Sequence, residues 1–241
     1  MSLPVFISDS EAKPGEVIEL RGPEGRHAVT VKRIQVGEEI SLIDGRGTAR
    51  TCTVTALSGK DQLTAVVDVV EEIPAPNPHV TIVQAIPKSE RSELTIDLLT
   101  QGGADKIVAW QASRCVAKWG GKEAKSLAKW QAAAEAAAKQ SRRATIPHIL
   151  GVVGEEGVEK LINDADLAII LHEEATVAIR ELNFSGNLVV IIGPEGGVAP
   201  AEISRFVAAG AHTVKLGPEV LRTASAGMVA LAAIGVLSAR W

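Results

Sequence analysis

Cysteine is scarce in this chain: among 241 residues only Cys52 and Cys115 occur, far apart and with neither a CxxC pair nor a closely spaced histidine. That spacing disfavours a zinc site, and both thiols are expected to be buried small hydrophobes. Long apolar runs are missing too. Leu167 to Leu171 and Leu188 to Ile192 have the length of buried strands and fall far short of a bilayer's width. Positive charge is not in excess, with 25 Lys and Arg against 29 Asp and Glu and a net charge of −4. This balance argues against a protein that coats nucleic acid indiscriminately, although local basic patches remain compatible with it. The first residues, Met1 to Asp9, lack a basic segment followed by an apolar stretch, so no secretory signal is expected and the cytoplasm is the default compartment. No internal repeat is visible, and the alanine run Ala132 to Ala138 is ordinary helix composition.

What is present suffices for one or two buried cores: 46% hydrophobic and 22% charged residues. The segment Glu71-Glu72-Ile73-Pro74-Ala75-Pro76-Asn77-Pro78 places a domain boundary, because its prolines fix extended backbone and cannot supply strand amides. Before it, at 1–72, valine, isoleucine and threonine stretches at Val29 to Ile34, Glu39 to Ile43, Arg50 to Ala56 and Leu63 to Val70 alternate with glycine turns, which predicts a small β-barrel. After it, at 78–241, the chain reads as an α/β domain. Strands are expected at Val80 to Ile86, Ile107 to Trp110, Ile146 to Leu150, Leu167 to Leu171, Leu188 to Ile192 and Val214 to Leu216, in a mostly parallel sheet. Helices are expected at Glu123 to Ser141, from Pro200 to Gly210, and over the apolar Ala224 to Ala239, which is packed inside the domain or against a second subunit.

The most informative segment is a strand running into a glycine turn and then a helix: Val189-Val190-Ile191-Ile192-Gly193-Pro194-Glu195-Gly196-Gly197. Ligands of open α/β sheets bind at this edge, where glycine lets backbone amides approach closely. The turn is neither GxGxxG nor a GK[ST] loop, which argues against a dinucleotide or triphosphate site. About twenty residues on, Val214-Lys215-Leu216-Gly217-Pro218-Glu219-Val220-Leu221-Arg222 repeats the arrangement. As structure alone it is a turn and a helix cap, with Thr223 or Ser225 as the capping hydroxyl. That reading leaves Arg222 unexplained. A third strand end, Leu171-His172-Glu173-Glu174, places polar groups where an apolar run stops.

Together the GPEGG turn, the Leu216-Gly217-Pro218 to Leu221-Arg222 segment and the strand ending at His172-Glu173 resemble the small-subunit ribosomal RNA uridine-N3 methyltransferase family of the SPOUT superfamily. The resemblance covers nearly the whole chain. It includes His27, Val31 and Arg33 as a His-x-x-x-Val-x-Arg signature, Lys88, the helix around Leu94 to Gly103, and Glu135 with Gln140-Ser141-Arg142-Arg143 and Ile146-Pro147. Three places depart from the family pattern. Gln101-Gly102-Gly103 stands for Glu-Leu-Gly, Glu219 for arginine, and Ala224-Ser225-Ala226 for Glu-Thr-Ala.

The resemblance implies a PUA-like N-terminal barrel, a C-terminal domain threaded as a trefoil knot, and a homodimer whose S-adenosylmethionine sites lie near the interface. It implies cofactor contacts by Leu171, His172, Ile192, Gly193, Pro194, Gly196, Leu216, Gly217 and Leu221. N3 transfer builds negative charge on the uracil oxygens as the imide proton leaves, so a cation in a dry pocket stabilises it, and Arg222 is the candidate. Glu195 is the candidate to orient the base or accept its proton, against the alternative of bonding its own turn's amides. The 16S ribosomal RNA partner would be gripped by Lys88 and Arg91 with Arg142 and Arg143, extended by Arg26, Lys32 and Arg33. Two other readings stay open at this stage: a noncatalytic RNA-binding or ribosome-assembly protein of the same fold, and an enzyme acting on transfer RNA.

Overall fold

The computed structural model describes residues 3–241. Two compact units emerge, one comprising the chain up to Ala75 together with Ala138–Ile146, the other Pro76–Ala137 with Pro147–Trp241.

In the first unit, β1 (Val5–Ile7), β2 (Val17–Leu20), β3 (Glu39–Ile43), β4 (Thr48–Ser58) and β5 (Gln62–Glu72) form one sheet in the order β1-β3-β4-β5-β2. Only the β1–β3 pair is parallel. Alternate residues along the strands, Ile40 and Leu42, Cys52 and Val54, Leu63, Ala65 and Val67, point into a shared core with Phe6, Ile18 and Leu20. Between β2 and β3 the strand expected over Val29 to Ile34 is instead helical. A short helix α1 (Gly22–Arg26), with Pro23 in its first turn, runs into a π-helical stretch His27–Lys32 that ends at left-handed Arg33 (φ 57°). This segment buries Ala28 and Ile34 while leaving Val31 65% exposed. Its β-branched composition favours a strand, but Gly-Pro-Glu starts a helix, and a Cβ on Gly25 would fall 2.0 Å from the Asp61 carbonyl oxygen. The segment Ala138–Ile146 joins this unit through Ile146, whose amide donates to the Gly45 carbonyl at 2.9 Å, and through Lys139, paired with Glu24 at 2.6 Å.

The second unit contains β6 (His79–Ala85), α2 (Ser92–Gln101), β7 (Lys106–Trp110), most of α3 (Glu123–Ser141), β8 (His148–Val153), α4 (Glu155–Asn163), β9 (Leu167–Leu171), β10 (Asn187–Ile192), α5 (Pro200–Ala208), β11 (His212–Val214) and α6 (Thr223–Leu237). The strands form a six-stranded sheet in the order β11-β9-β10-β6-β7-β8, and every pairing is parallel. A parallel sheet must be covered on both faces, which explains the near-continuous apolar strands. On one face Val83, Val108, Trp110, Ile170, Val189 and Ile191 pack with Val158, Ile162 and Phe206, and the Trp110 and Phe206 rings meet edge to face at 5.4 Å. On the other, α6 packs against α2, β6 and β10.

Two strands shift from their expected places. β11 ends at Val214, because its pairing with β9 stops where β9 stops, at Leu171; Lys215 and Leu216 therefore belong to the loop. β8 begins at His148, after Pro147, and runs on to Val153. Strands β1 and β2 and helix α4 lack any sequence-level expectation.

Candidate active site

Strand order decides which loops meet. β11, β9 and β10 are consecutive neighbours and parallel, so their carboxyl ends lie side by side, followed by that of β6. The chain reverses its direction of travel across the sheet between β6 and β10, the position where open α/β sheets bind ligands. The GPEGG turn, the Leu216 to Arg222 segment and the His172-Glu173 strand end are the three loops at this edge, together with Lys88 just beyond β6.

The loop after β10 is a tight turn, closed by a hydrogen bond from the Gly197 amide to the Pro194 carbonyl at 2.9 Å, with Gly197 in the left-handed region (φ 72°). Gly193 is required by packing, since a Cβ there would come 2.7 Å from Val198 Cγ2. Neighbouring strands hold this turn. The Lys88 amide beyond β6 donates to Glu195 Oε1 at 3.3 Å, and Arg114 Nη1 beyond β7 donates to the Gly196 carbonyl at 3.2 Å. Glu195 thus bonds a neighbouring loop rather than its own turn's amides. Glu202, only 2% exposed, accepts the Ala199 amide at the start of α5 and the Ser113 amide beyond β7, at 2.9 and 2.7 Å.

After β9, Leu171 and His172 are half-buried. The His172 amide donates to Val214 of β11 at 3.0 Å, and its Nδ1 accepts the Glu174 amide at 3.2 Å, so one imidazole nitrogen is committed to the turn. After β11, Leu216 and Gly217 are half-buried, whereas Val220 and Leu221 are 75% and 37% exposed. A Cβ on Gly217 would meet only Glu219 Oε2, at 3.7 Å, so space is left beside this backbone. Arg222 is exposed at the N-terminus of α6, where its carbonyl accepts the Ser225 and Ala226 amides, each at 2.9 Å. Neither expected capping hydroxyl caps: Thr223 is buried, and Ser225 Oγ donates back to the Arg222 carbonyl at 3.3 Å.

The expected RNA-binding residues divide between the units. Arg26, Lys32 and Arg33 are exposed on the helical stretch of the first unit, and Arg142 and Arg143 fold with that unit although they follow the long helix. Arg142 is left-handed (φ 59°), and Arg143 Nη2 donates to Thr145 Oγ1 at 3.1 Å. Lys88 and Arg91 are exposed in the second unit, beyond β6.

Arg114, Ser113, Glu202 and Gln84 stand in no motif of the sequence. Glu202 was within reach as the third residue of a helix starting at Pro200. Arg114 was not, because only strand order brings the end of β7 to the glycine turn. Gln84 is fully buried one register position from Gly193, opposite Ile192, and its Oε1 has no hydrogen-bond partner among the described residues. No group of His, Cys, Asp and Glu able to hold a metal ion exists among the described residues, and no helix there is long and apolar enough to cross a membrane.

Residues 74–235 match the RNA methyltransferase domain family, and residues 20–68 match the RNA methyltransferase PUA domain. The ribosomal RNA small subunit methyltransferase E of Mycobacterium bovis is 45% identical over 98% of this chain and 93% of that protein. Among solved structures, the ribosomal RNA small subunit methyltransferase E of Neisseria gonorrhoeae bound to S-adenosyl methionine superposes with a TM-score of 0.88 at 27% identity, over 98% of each chain. A Legionella pneumophila protein in complex with the cofactor SAM superposes with a TM-score of 0.87 at 28% identity, over 99% of each chain.

Proposed function

Because the chain belongs to the ribosomal RNA small subunit methyltransferase E family, we propose that it transfers the methyl group of S-adenosylmethionine to N3 of a specific uridine in 16S ribosomal RNA, acting on the small subunit in the cytoplasm. The observation that carries this reading is the convergence of three strand ends, β11, β9 and β10, at one edge of a parallel sheet, each running into a loop of the resemblance.

These loops suit such a cofactor. Gly217 leaves open space for close approach to its backbone, Gly193 and Gly196 contribute backbone groups of a turn braced by Val198 and Arg114, and the exposed Leu221 and Val220 offer apolar surface to an adenine ring. Backbone groups of Leu171, His172, Ile192, Pro194 and Leu216 line the same edge. When bound, S-adenosylmethionine supplies a methyl group on a sulfonium, activated for attack by a nucleophilic nitrogen.

The chain's residues then have to orient the base, take charge of its proton and exclude water. The N3–H bond of uridine breaks with its proton passing to a carboxylate or to water, and as the N3–methyl bond forms the sulfur–methyl bond would break, the neutral thioether S-adenosylhomocysteine being the leaving group. Arg222, exposed beside the glycine loops, provides a guanidinium to the uracil oxygens on which negative charge grows. Glu195 is held by the Lys88 amide with a second carboxylate oxygen available to orient the base or accept the proton. The pocket relies on positioning, which for aligned reactants supplies much of the barrier reduction.

The same reading includes the trefoil knot and the homodimer. Helix α6 supports the homodimer: it is apolar on all sides, leaving Val229, Val236 and Leu237 42%, 73% and 43% exposed, an unusual cost for a surface helix unless a second copy covers it. RNA contacts are assigned to Arg26, Lys32, Arg33, Lys88, Arg91, Arg142 and Arg143.

The test is methyl transfer from labelled S-adenosylmethionine to small ribosomal subunits lacking the modification, followed by nucleoside analysis. N3-methyluridine at a single site is expected. Cofactor binding without transfer to small subunits overturns the substrate and points to another, transfer RNA included, whereas neither binding nor transfer overturns the reading in favour of a noncatalytic RNA-binding or ribosome-assembly protein.

A further inference from the structure

The segment between β7 and the middle of α3 is charged unlike the rest of the molecule. From Arg114 to Lys129 it carries Arg114, Lys118, Lys122, Lys125 and Lys129 against the single acid Glu123, in a chain whose net charge is −4. All five cations are exposed, and none is ion-paired with an acid among the described residues. Lys125 and Lys129 are four apart, so they share one face of α3, while Trp130 turns to the interior at 1% exposure.

One aromatic ring is interleaved with these charges. Trp119 is half-buried between Lys118 and Lys122, and its ring meets Trp130 edge to face at 4.9 Å. Trp130 is itself fixed, its Nε1 donating to Ser92 Oγ at 2.7 Å. The loop is tied down elsewhere too: Gln111 Nε2 donates to the Ala117 carbonyl at 3.3 Å, the Lys122 amide to the Trp119 carbonyl at 2.9 Å, and Cys115 is buried. A rigid, partly open aromatic flanked by unpaired lysines is the arrangement that binds single-stranded nucleic acid, with phosphates on the cations and a base on the ring. The segment also reaches the candidate active site directly, through Arg114 on the Gly196 carbonyl.

We propose that Arg114 to Lys129 forms a single-stranded RNA-binding surface that holds the nucleotides flanking the target uridine, with Trp119 stacking on a base and Lys118, Lys122, Lys125 and Lys129 on phosphates. This rests on the RNA-modifying reading above and adds a substrate subsite to it. The surface explains how a chain of net negative charge grips RNA beside its glycine loops, because the attraction is local and lies within a Debye length of the phosphates it neutralises.

The experiment measures binding of a fluorescently labelled single-stranded RNA oligomer to the full-length protein over a salt series, for the wild type, K125Q/K129Q, W119A and W119F. In the double variant the slope of log K against log salt is expected to fall by about 1.4, roughly 0.7 for each single-strand phosphate that is no longer neutralised. W119A is expected to weaken binding about tenfold, with W119F restoring most of it, since phenylalanine keeps a stacking face. In methyl transfer the losses are expected in KM for RNA rather than in kcat. An unchanged salt slope in K125Q/K129Q, whose side chains lie in solvent and leave the fold intact, overturns the proposal even if W119A fails to fold. A wild type that binds RNA with the expected slope but transfers no methyl group defeats the enzyme and spares this surface, whereas active variants with wild-type slope and KM defeat the surface alone.

Discussion

At the scale of single residues, the two candidate catalytic side chains are built into the molecule differently. Arg222 contributes its carbonyl to the first turn of α6, and its guanidinium makes no ion pair among the described residues, so the side chain can be changed without disturbing the helix start. R222A is expected to lower kcat by about 10²–10³ while cofactor affinity holds, the loss typical of one donor aimed at developing charge. A lysine in its place restores only part of the rate, because a point charge replaces a planar fork. Glu195 accepts the Lys88 amide, a bond that a glutamine oxygen also accepts, so E195Q tests charge and proton transfer with the loop preserved. Single-turnover rates are the measurement, and full turnover by E195Q with unchanged cofactor affinity removes Glu195 from the chemistry. The sequence offered both as candidates, Glu195 inside the glycine turn and Arg222 four residues after Gly217-Pro218. Arg114 was not among them, since nothing local marks it and its partner Gly196 lies 82 residues away.

At the scale of elements, α6 depends on Gly227. A Cβ at this position would lie 2.3 Å from Leu99 Cδ2 on α2 and 2.7 Å from Ile192 Cδ1 at the end of β10. The glycine therefore lets one helix pass close to both a second helix and the strand that delivers the glycine turn. G227L is expected to destabilise by about 1–3 kcal/mol through overpacking, lowering the Tm by several degrees, and to weaken cofactor binding because Ile192 must move. Thermal melts with and without cofactor check this, and an unchanged Tm means α6 is free to shift. Elements with a clear period were legible: β3, β9 and α3 have the bounds their patterns predict. The His27–Lys32 stretch departs from its strand-like pattern, because its β-branched residues express a local preference that close approach to the β4–β5 turn overrides.

At the scale of the whole molecule, each unit carries one histidine whose protonation burial disfavours. His27, in the first unit, is lowered from its ordinary value of 6.5 chiefly by burial and next by the positive charge of Lys139. His79, in the second, is lowered chiefly by burial, which outweighs the opposing pull of Asp105. A depressed histidine binds its proton more readily in the unfolded chain, so the stability each of these histidines contributes is present above its ordinary value of 6.5 and is lost as the pH falls below it. Unfolding midpoints between about pH 7.5 and pH 5.5 are expected to fall, with H27Q and H79Q each flattening part of the dependence. Midpoints that hold constant across this range mean that neither histidine is coupled to folding.

The sequence by itself determined the apolar strands of an α/β unit, offered a division at the proline-rich segment, and marked the loops to which the site is assigned, because hydrophobic period and glycine-proline punctuation are local properties that survive in a linear string. Only the tertiary structure decided the strand order β11-β9-β10-β6-β7-β8, and with it that the loops after β9, β10 and β11 lie side by side and that Arg114 meets Gly196. It also decided that Ala138–Ile146, contiguous with the long helix, folds with the first unit. Pairings of this kind depend on which distant surfaces bury one another, and that energy belongs to the packed chain rather than to any segment of it.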